Sequence, residues 1–210
     1  MKKVGALLAA IVLLTPVAVG QILSHTQISL NVTEDYSRQS NGTSDAQTVN
    51  LKPTRATGYL GTLRYSLSSR SAVELNYGYL KNSQNYLLTD STGFQTAFGI
   101  NATVHEATAA YVYNVRKIYR FNPFVLGGAG VLIFIPTGNS LASTGIGYEN
   151  QNRLSLLYGV GTDFRLTAGF ALRMQFRGLL YKAPDFTLST YTTNAYGHLA
   201  EPSVGIVYNF

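Results

Sequence analysis

The chain has 210 residues with 16 Lys and Arg against 10 Asp and Glu, 20 Gly, 15 Tyr, 10 Phe, and neither Cys nor Trp. Charged residues make up 12%, about half the roughly 25% of an ordinary soluble domain, and a mean hydropathy of +0.07 is too low for a bundle of membrane helices. Lack of cysteine excludes a disulfide-stapled miniprotein and a zinc ribbon; an all-β soluble domain, a membrane β-barrel and a low-complexity secreted protein remain.

At the N-terminus Lys2 and Lys3 precede the apolar run Val4–Leu14, Thr15 and Pro16 end it, and Ala18-Val19-Gly20 supplies small residues. The run falls short of the about 20 residues a spanning helix needs, and the pattern is that of a cleaved signal peptide over residues 1–20. Residues 21–210 then form one barrel domain. Their basic residues are scattered, with Arg116, Lys117 and Arg120 as the one loose cluster. No basic stripe exists, so no nucleic-acid partner is expected.

From there the chain alternates with period two, the signature of strands. Ile28, Leu30 and Val32 open the series. Tyr59, Leu63, Tyr65 and Leu67 follow, then Val73, Leu75, Tyr77 and Tyr79, then Ala107 to Val115 at odd positions. Residues 121–135 are almost continuously apolar around Gly127, Gly128 and Gly130, so alternation cannot assign their two faces. Leu154 to Phe164 at even positions, Phe170 to Phe176 at even positions, and Pro202 to Phe210 at even positions complete eight strands. An even number allows an up-and-down meander to close. Short connections (68–70, 116–120 and 167–169) alternate with long polar ones (33–55, 82–101, 136–151 and 183–198). That wiring predicts an all-β, eight-stranded antiparallel transmembrane barrel with short periplasmic turns and long extracellular loops.

In such a barrel the large apolar faces meet lipid and the small polar faces fill the interior. Three-residue hairpin loops would set Arg64 opposite Glu74 and, with Gly169 left-handed, Asp163 opposite Arg173. Arg165, Gln175, Arg177 and Glu201 share the polar faces. A stranded buried charge costs several kcal/mol, so the expected interior is a plug of ion pairs; a narrow charge-lined pore is the alternative.

The short-turn and long-loop wiring, the strand Pro123-Phe124-Val125-Leu126-Gly127-Gly128-Ala129-Gly130 and the ending Val204-Gly205-Ile206-Val207-Tyr208-Asn209-Phe210 resemble the eight-stranded outer-membrane barrels of the OmpA-transmembrane-domain, OmpX and opacity-protein type. The resemblance covers nearly all of residues 21–210. It implies a place in the bacterial outer membrane among lipid and lipopolysaccharide. It also implies that Val204, Ile206, Tyr208 and Phe210 form the signal read by the barrel-assembly machinery. No tether to the cell wall through a peptidoglycan-binding domain is expected.

Some barrels of this architecture modify lipid A, which needs a nucleophile or activated water, a base and an orienting acid held together. The histidines are His25, His105 and His198. His198 near Glu201 and Ser203 is the best arrangement on offer, although alternation puts His198 on the other face. His105 and Glu106 likewise point apart. No ligand spacing suggests a metal, and no cofactor or catalytic residue is assigned. The expected role is therefore structural or surface-interacting, with a ligand contacted through the outer loops. A passive pore, a lipid A-modifying enzyme and a soluble carrier barrel are the competing readings.

Overall fold

The computed structural model describes residues 24–44, 47–139, 150–184 and 195–210. The expected signal peptide lies outside the described residues, as do the middles of the third and fourth long connections. Among the described residues ten antiparallel strands follow in chain order: β1 (Thr26–Ser37), β2 (Ser40–Ser44), β3 (Gln47–Pro53), β4 (Ala56–Ser66), β5 (Ser71–Thr89), β6 (Gln95–Asn114), β7 (Phe121–Asn139), β8 (Gln151–Arg165), β9 (Phe170–Lys182) and β10 (Tyr196–Asn209). Eight of them close the sheet: β1 pairs with β4 and β10, and each of β4 through β9 pairs with its successor. β2 pairs with β3, and β3 with the upper end of β5. The β1–β10 seam pairs Gln27–Thr33 and Tyr36–Ser37 but lapses between them, opposite Pro202, which has no N–H to give.

Through the middle of the barrel the side chains are inverted relative to a soluble domain. Leu30, Leu63, Leu75, Tyr77, Val160, Met174 and Ile206 are exposed, while Arg64, Glu74, Asp163 and Arg173 are buried. On β8 the outward face runs Leu154, Leu156, Tyr158, Val160, Thr162, Phe164. At the usual strand rise and tilt that is about 25 Å of height, the thickness of a hydrocarbon band. Aromatic rings mark its edges. Phe121 packs on Phe164 and Phe170 on Tyr208, with centroids 4.9 and 5.1 Å apart, at the short-turn end. Toward the other end Tyr59, Tyr79 and His105 occupy successive cross-strand positions.

The first two long connections are not loops. β5 continues to Thr89 and β6 begins at Gln95, so a tight turn over residues 90–94 joins them, and Ser40–Ser44 pairs with Gln47–Pro53 as β2 and β3. Here the polarity reverses. Val49, Leu51, Tyr86 and Ile100 point inward and are at most 1% exposed, whereas Lys52, Lys81, Asn85 and Asn101 point outward into solvent. Water replaces lipid outside the wall at this height, so the ordinary arrangement of an apolar core under a polar surface returns. The Asn, Ser and Thr that read as loop are the solvent face of extended strands.

β7 resolves its ambiguity in favour of even positions inside: Phe124, Leu126, Leu132 and Phe134 are buried, and Val125 is exposed. The inner Gly128 lies so close to β6 that a Cβ would sit 2.0 Å from the Ala109 carbonyl oxygen. Gly169 has no positive φ. The β8–β9 turn is closed instead by the Thr167 hydroxyl, which accepts the Phe170 N–H at 3.1 Å. Ser68 does the same in the β4–β5 turn, accepting from Ser71 at 3.1 Å. Left-handed residues occur at Tyr119 (φ 54) in the β6–β7 turn and Gly93 (φ 84) in the β5–β6 turn.

Candidate functional site

The interior of the barrel is built in three storeys. The lowest holds two arginines and two carboxylates. Arg64 Nε donates to Glu74 Oε2 at 2.7 Å, directly across the β4–β5 ladder. Arg173 grips Asp163 with Nε and Nη2 at 2.7 and 2.8 Å, across the β8–β9 ladder. Arg64 Nη1 stands 3.6 Å from Asp163, and Arg173 Nη1 3.7 Å from Glu74, which joins the pairs into a square. Both guanidinium groups lie over the buried Phe124 ring, 4.2 and 5.3 Å from its centroid. That ring presents its electron-rich face to two cations.

The middle storey centres on Arg177 of β9, which is fully buried. Its Nη1 and Nη2 donate to Glu106 Oε1 and Oε2 at 3.0 and 2.8 Å, a bidentate clasp. Nη2 also donates to Glu201 of β10. Thr108 donates to Glu106 Oε1 at 2.9 Å. Gly78 on β5 leaves the space that the Glu106 carboxylate uses, since a Cβ there would come within 3.1 Å of it. Asp35 of β1, 1% exposed, adds another inward carboxylate. The top storey is apolar: Leu132, Phe134, Leu179, Tyr181 and Leu199 are buried together, with Tyr86 donating its hydroxyl to the Pro184 carbonyl at 3.0 Å.

Of the residues expected inside, Arg64, Glu74, Asp163, Arg173, Gln175, Arg177 and Glu201 are buried, and all but Gln175 stand in the ion-pair networks. Arg165 is not inside. It has the parity of the inner face but sits at the last residue of β8, where the barrel opens and the side chain is exposed. Glu106, Asp35 and Phe124 complete the storeys and were missed. Glu106 was legible, because the odd-numbered apolar face of β6 obliges it to point inward. Phe124 was not, because β7 has no alternation to read. Val204, Ile206, Tyr208 and Phe210 all face outward and are exposed.

The His198, Glu201 and Ser203 arrangement does not assemble. His198 faces outward and bonds the Tyr158 hydroxyl through Nε2 at 2.6 Å, while Glu201 is inside on Arg177. His105 is likewise outside, its Nδ1 2.7 Å from the Tyr77 hydroxyl. Among the described residues no group of acids and histidines is placed to hold a metal.

Comparison with solved structures finds the same fold at low sequence identity. OprG from Pseudomonas aeruginosa aligns with TM-score 0.61 and 12% identity, covering 89% of this chain and 96% of that one. The neisserial surface protein NspA gives 0.57 and 10%, covering 89% and 98%. AlkL, determined in lipid bilayers, gives 0.58 and 17%, covering 88% and 89%. No curated protein matches the sequence. The profile of the outer membrane protein beta-barrel domain matches residues 5–210. With an apolar belt outside, a closed eight-stranded wall and that match, the chain belongs to the outer-membrane β-barrel protein family and resides in the bacterial outer membrane.

Proposed function

We propose that the protein is a non-enzymatic anchor that displays a rigid rim at the cell surface. The observation that carries this reading is the reversal of polarity above the membrane band, where β2, β3 and the upper parts of β5 and β6 continue the wall outward over an apolar core. A wall of that kind holds its loops at a fixed height and orientation, as a rigid scaffold does for a binding loop. Lipid and lipopolysaccharide surround the belt, and the outward Val204, Ile206, Tyr208 and Phe210 offer the final strand to the assembly machinery.

Two storeys of ion pairs under an apolar plug argue against a passive pore, because an ion entering would have to break buried pairs and then cross a dry layer. The separation of His198 from Glu201 argues against acyl-group chemistry. Reconstitution into planar bilayers together with mass analysis of lipid A from expressing cells tests both points. The expected result is silence at high voltage and lipid A identical to that of vector controls. Discrete conductance steps, or loss or gain of an acyl chain, would contradict the reading.

A further inference from the structure

The periplasmic mouth carries charge that the storey directly beneath it does not balance. A cavity of about 200 Å³ opens there, ringed by Lys117 and Arg120 of the β6–β7 turn and Arg165 at the end of β8, with the amides of Gln27, Asn122 and Asn209 between them. The Arg165 N–H donates to the Arg120 carbonyl at 2.9 Å, which holds the two arginines side by side. All three cationic side chains are exposed. Asp163 forms the floor, but its oxygens are taken by Arg173 at 2.7 and 2.8 Å. In the lowest storey Arg64 and Arg173 match Glu74 and Asp163 one for one, so the floor is neutral and the rim keeps its positive charge. Arg70 and Arg116 are exposed at the same end, and no exposed Asp or Glu side chain accompanies them among the described residues. Gln27 accepts from Arg173 Nη2 through Oε1 at 3.3 Å, which leaves its NH₂ as a free donor.

We propose that this mouth is a binding site for a phosphate-type oxyanion. Two guanidinium forks offer paired donors matched to such a group, and a lysine adds a third charge. An anion would relieve the repulsion among Lys117, Arg120 and Arg165 that the chain itself leaves standing. The volume lies below the roughly 300 Å³ at which drug-sized sites begin, so it suits a single phosphate headgroup. The surrounding ring of Phe121, Phe164, Phe170 and Tyr208 sets the mouth at the depth of the inner-leaflet headgroups. The phosphate therefore comes from a phospholipid or from a soluble phosphate ester.

The test is an NMR titration of the refolded barrel in dodecyl maltoside with inorganic phosphate, following the arginine Nε–H signals, with chloride at matched ionic strength as control. The expected result is saturable shifts of Arg120 and Arg165 with phosphate alone. The double variant Arg120→Gln/Arg165→Gln weakens binding by about tenfold or more, whereas Arg70→Gln, outside the cavity, leaves it within about twofold. Retention of a faster-migrating unboiled band confirms that each variant is folded. Shifts that stay linear, match those with chloride, or survive the double variant overturn the site. Repeating the titration in phosphatidylglycerol nanodiscs assigns the source. If the lipid phosphate occupies the site, the arginines are already shifted and added phosphate changes nothing. If they still titrate, the ligand is soluble. Either result requires the site.

Discussion

Single residues carry much of the closure. Gly128 and Gly127 are neighbours with opposite duties: a Cβ on the inner Gly128 would meet backbone of β6 at 2.0 Å, whereas one on the outer Gly127 comes no closer than 4.0 Å to the Leu157 carbonyl. Gly128→Ala is expected to destabilise the barrel by about 1–3 kcal/mol or more through overpacking, and Gly127→Ala to be tolerated. Urea midpoints of the unboiled gel band measure both, and equal midpoints would show that the strands can part without cost. Arg177 is the second pivotal residue. Arg177→Met leaves Glu106 and Glu201 buried without their cation, at a cost of about 3–5 kcal/mol. Adding Glu106→Gln and Glu201→Gln to it is expected to recover most of that loss, by the same measurement. The Arg64–Glu74 and Asp163–Arg173 pairs were legible because hairpin register follows from loop length. The closing device of the β8–β9 turn was not, since the Thr167 hydroxyl does what a left-handed Gly169 was expected to do.

At the scale of elements, the turn joining β5 to β6 fixes the top of the longest hairpin. Asp90 Oδ1 accepts from the Thr92 hydroxyl at 2.6 Å and from the N–H groups of Thr92 and Phe94 at 2.8 and 2.9 Å. Gly93 supplies the left-handed residue that the turn requires. The Thr92 hydroxyl, and then the Phe94 N–H, hold the Asp90 carboxyl below the ordinary carboxylate range. A lowered folded value makes its contribution complete above the unfolded value of about 3.9 and lost as pH falls through the folded one. The carboxyl carbon of Asp90 is therefore expected to titrate below that value, with amide exchange of Gly93 and Phe94 accelerating over the same interval and in Asp90→Ala at neutral pH. A midpoint at or above about 3.9 would contradict this. The extent of β5 and β6 escaped the sequence reading for a related reason. Apolar residues at alternate positions face outward within the band, and above it the same alternation continues with Tyr86 and Ile100 inward. A strand that crosses from lipid to water keeps its period and changes its phase of polarity. The change itself looks like the end of a strand.

For the whole molecule, everything depends on which solvent touches which face. The apolar belt, the ion-paired lower storeys and the apolar upper core form one consistent arrangement only if hydrocarbon surrounds Leu30, Leu63, Val160 and Ile206, and water surrounds Lys52 and Asn85. The native chain has no cysteine, so each position can carry a single nitroxide without background. The decisive measurement is power-saturation electron paramagnetic resonance in lipid vesicles, comparing oxygen with a water-soluble nickel chelate as relaxant. At Leu63 and Ile206 strong relaxation by oxygen and little by nickel is expected, and the reverse at Lys52 and Asn85. Strong nickel relaxation at Leu63 and Ile206 would contradict it.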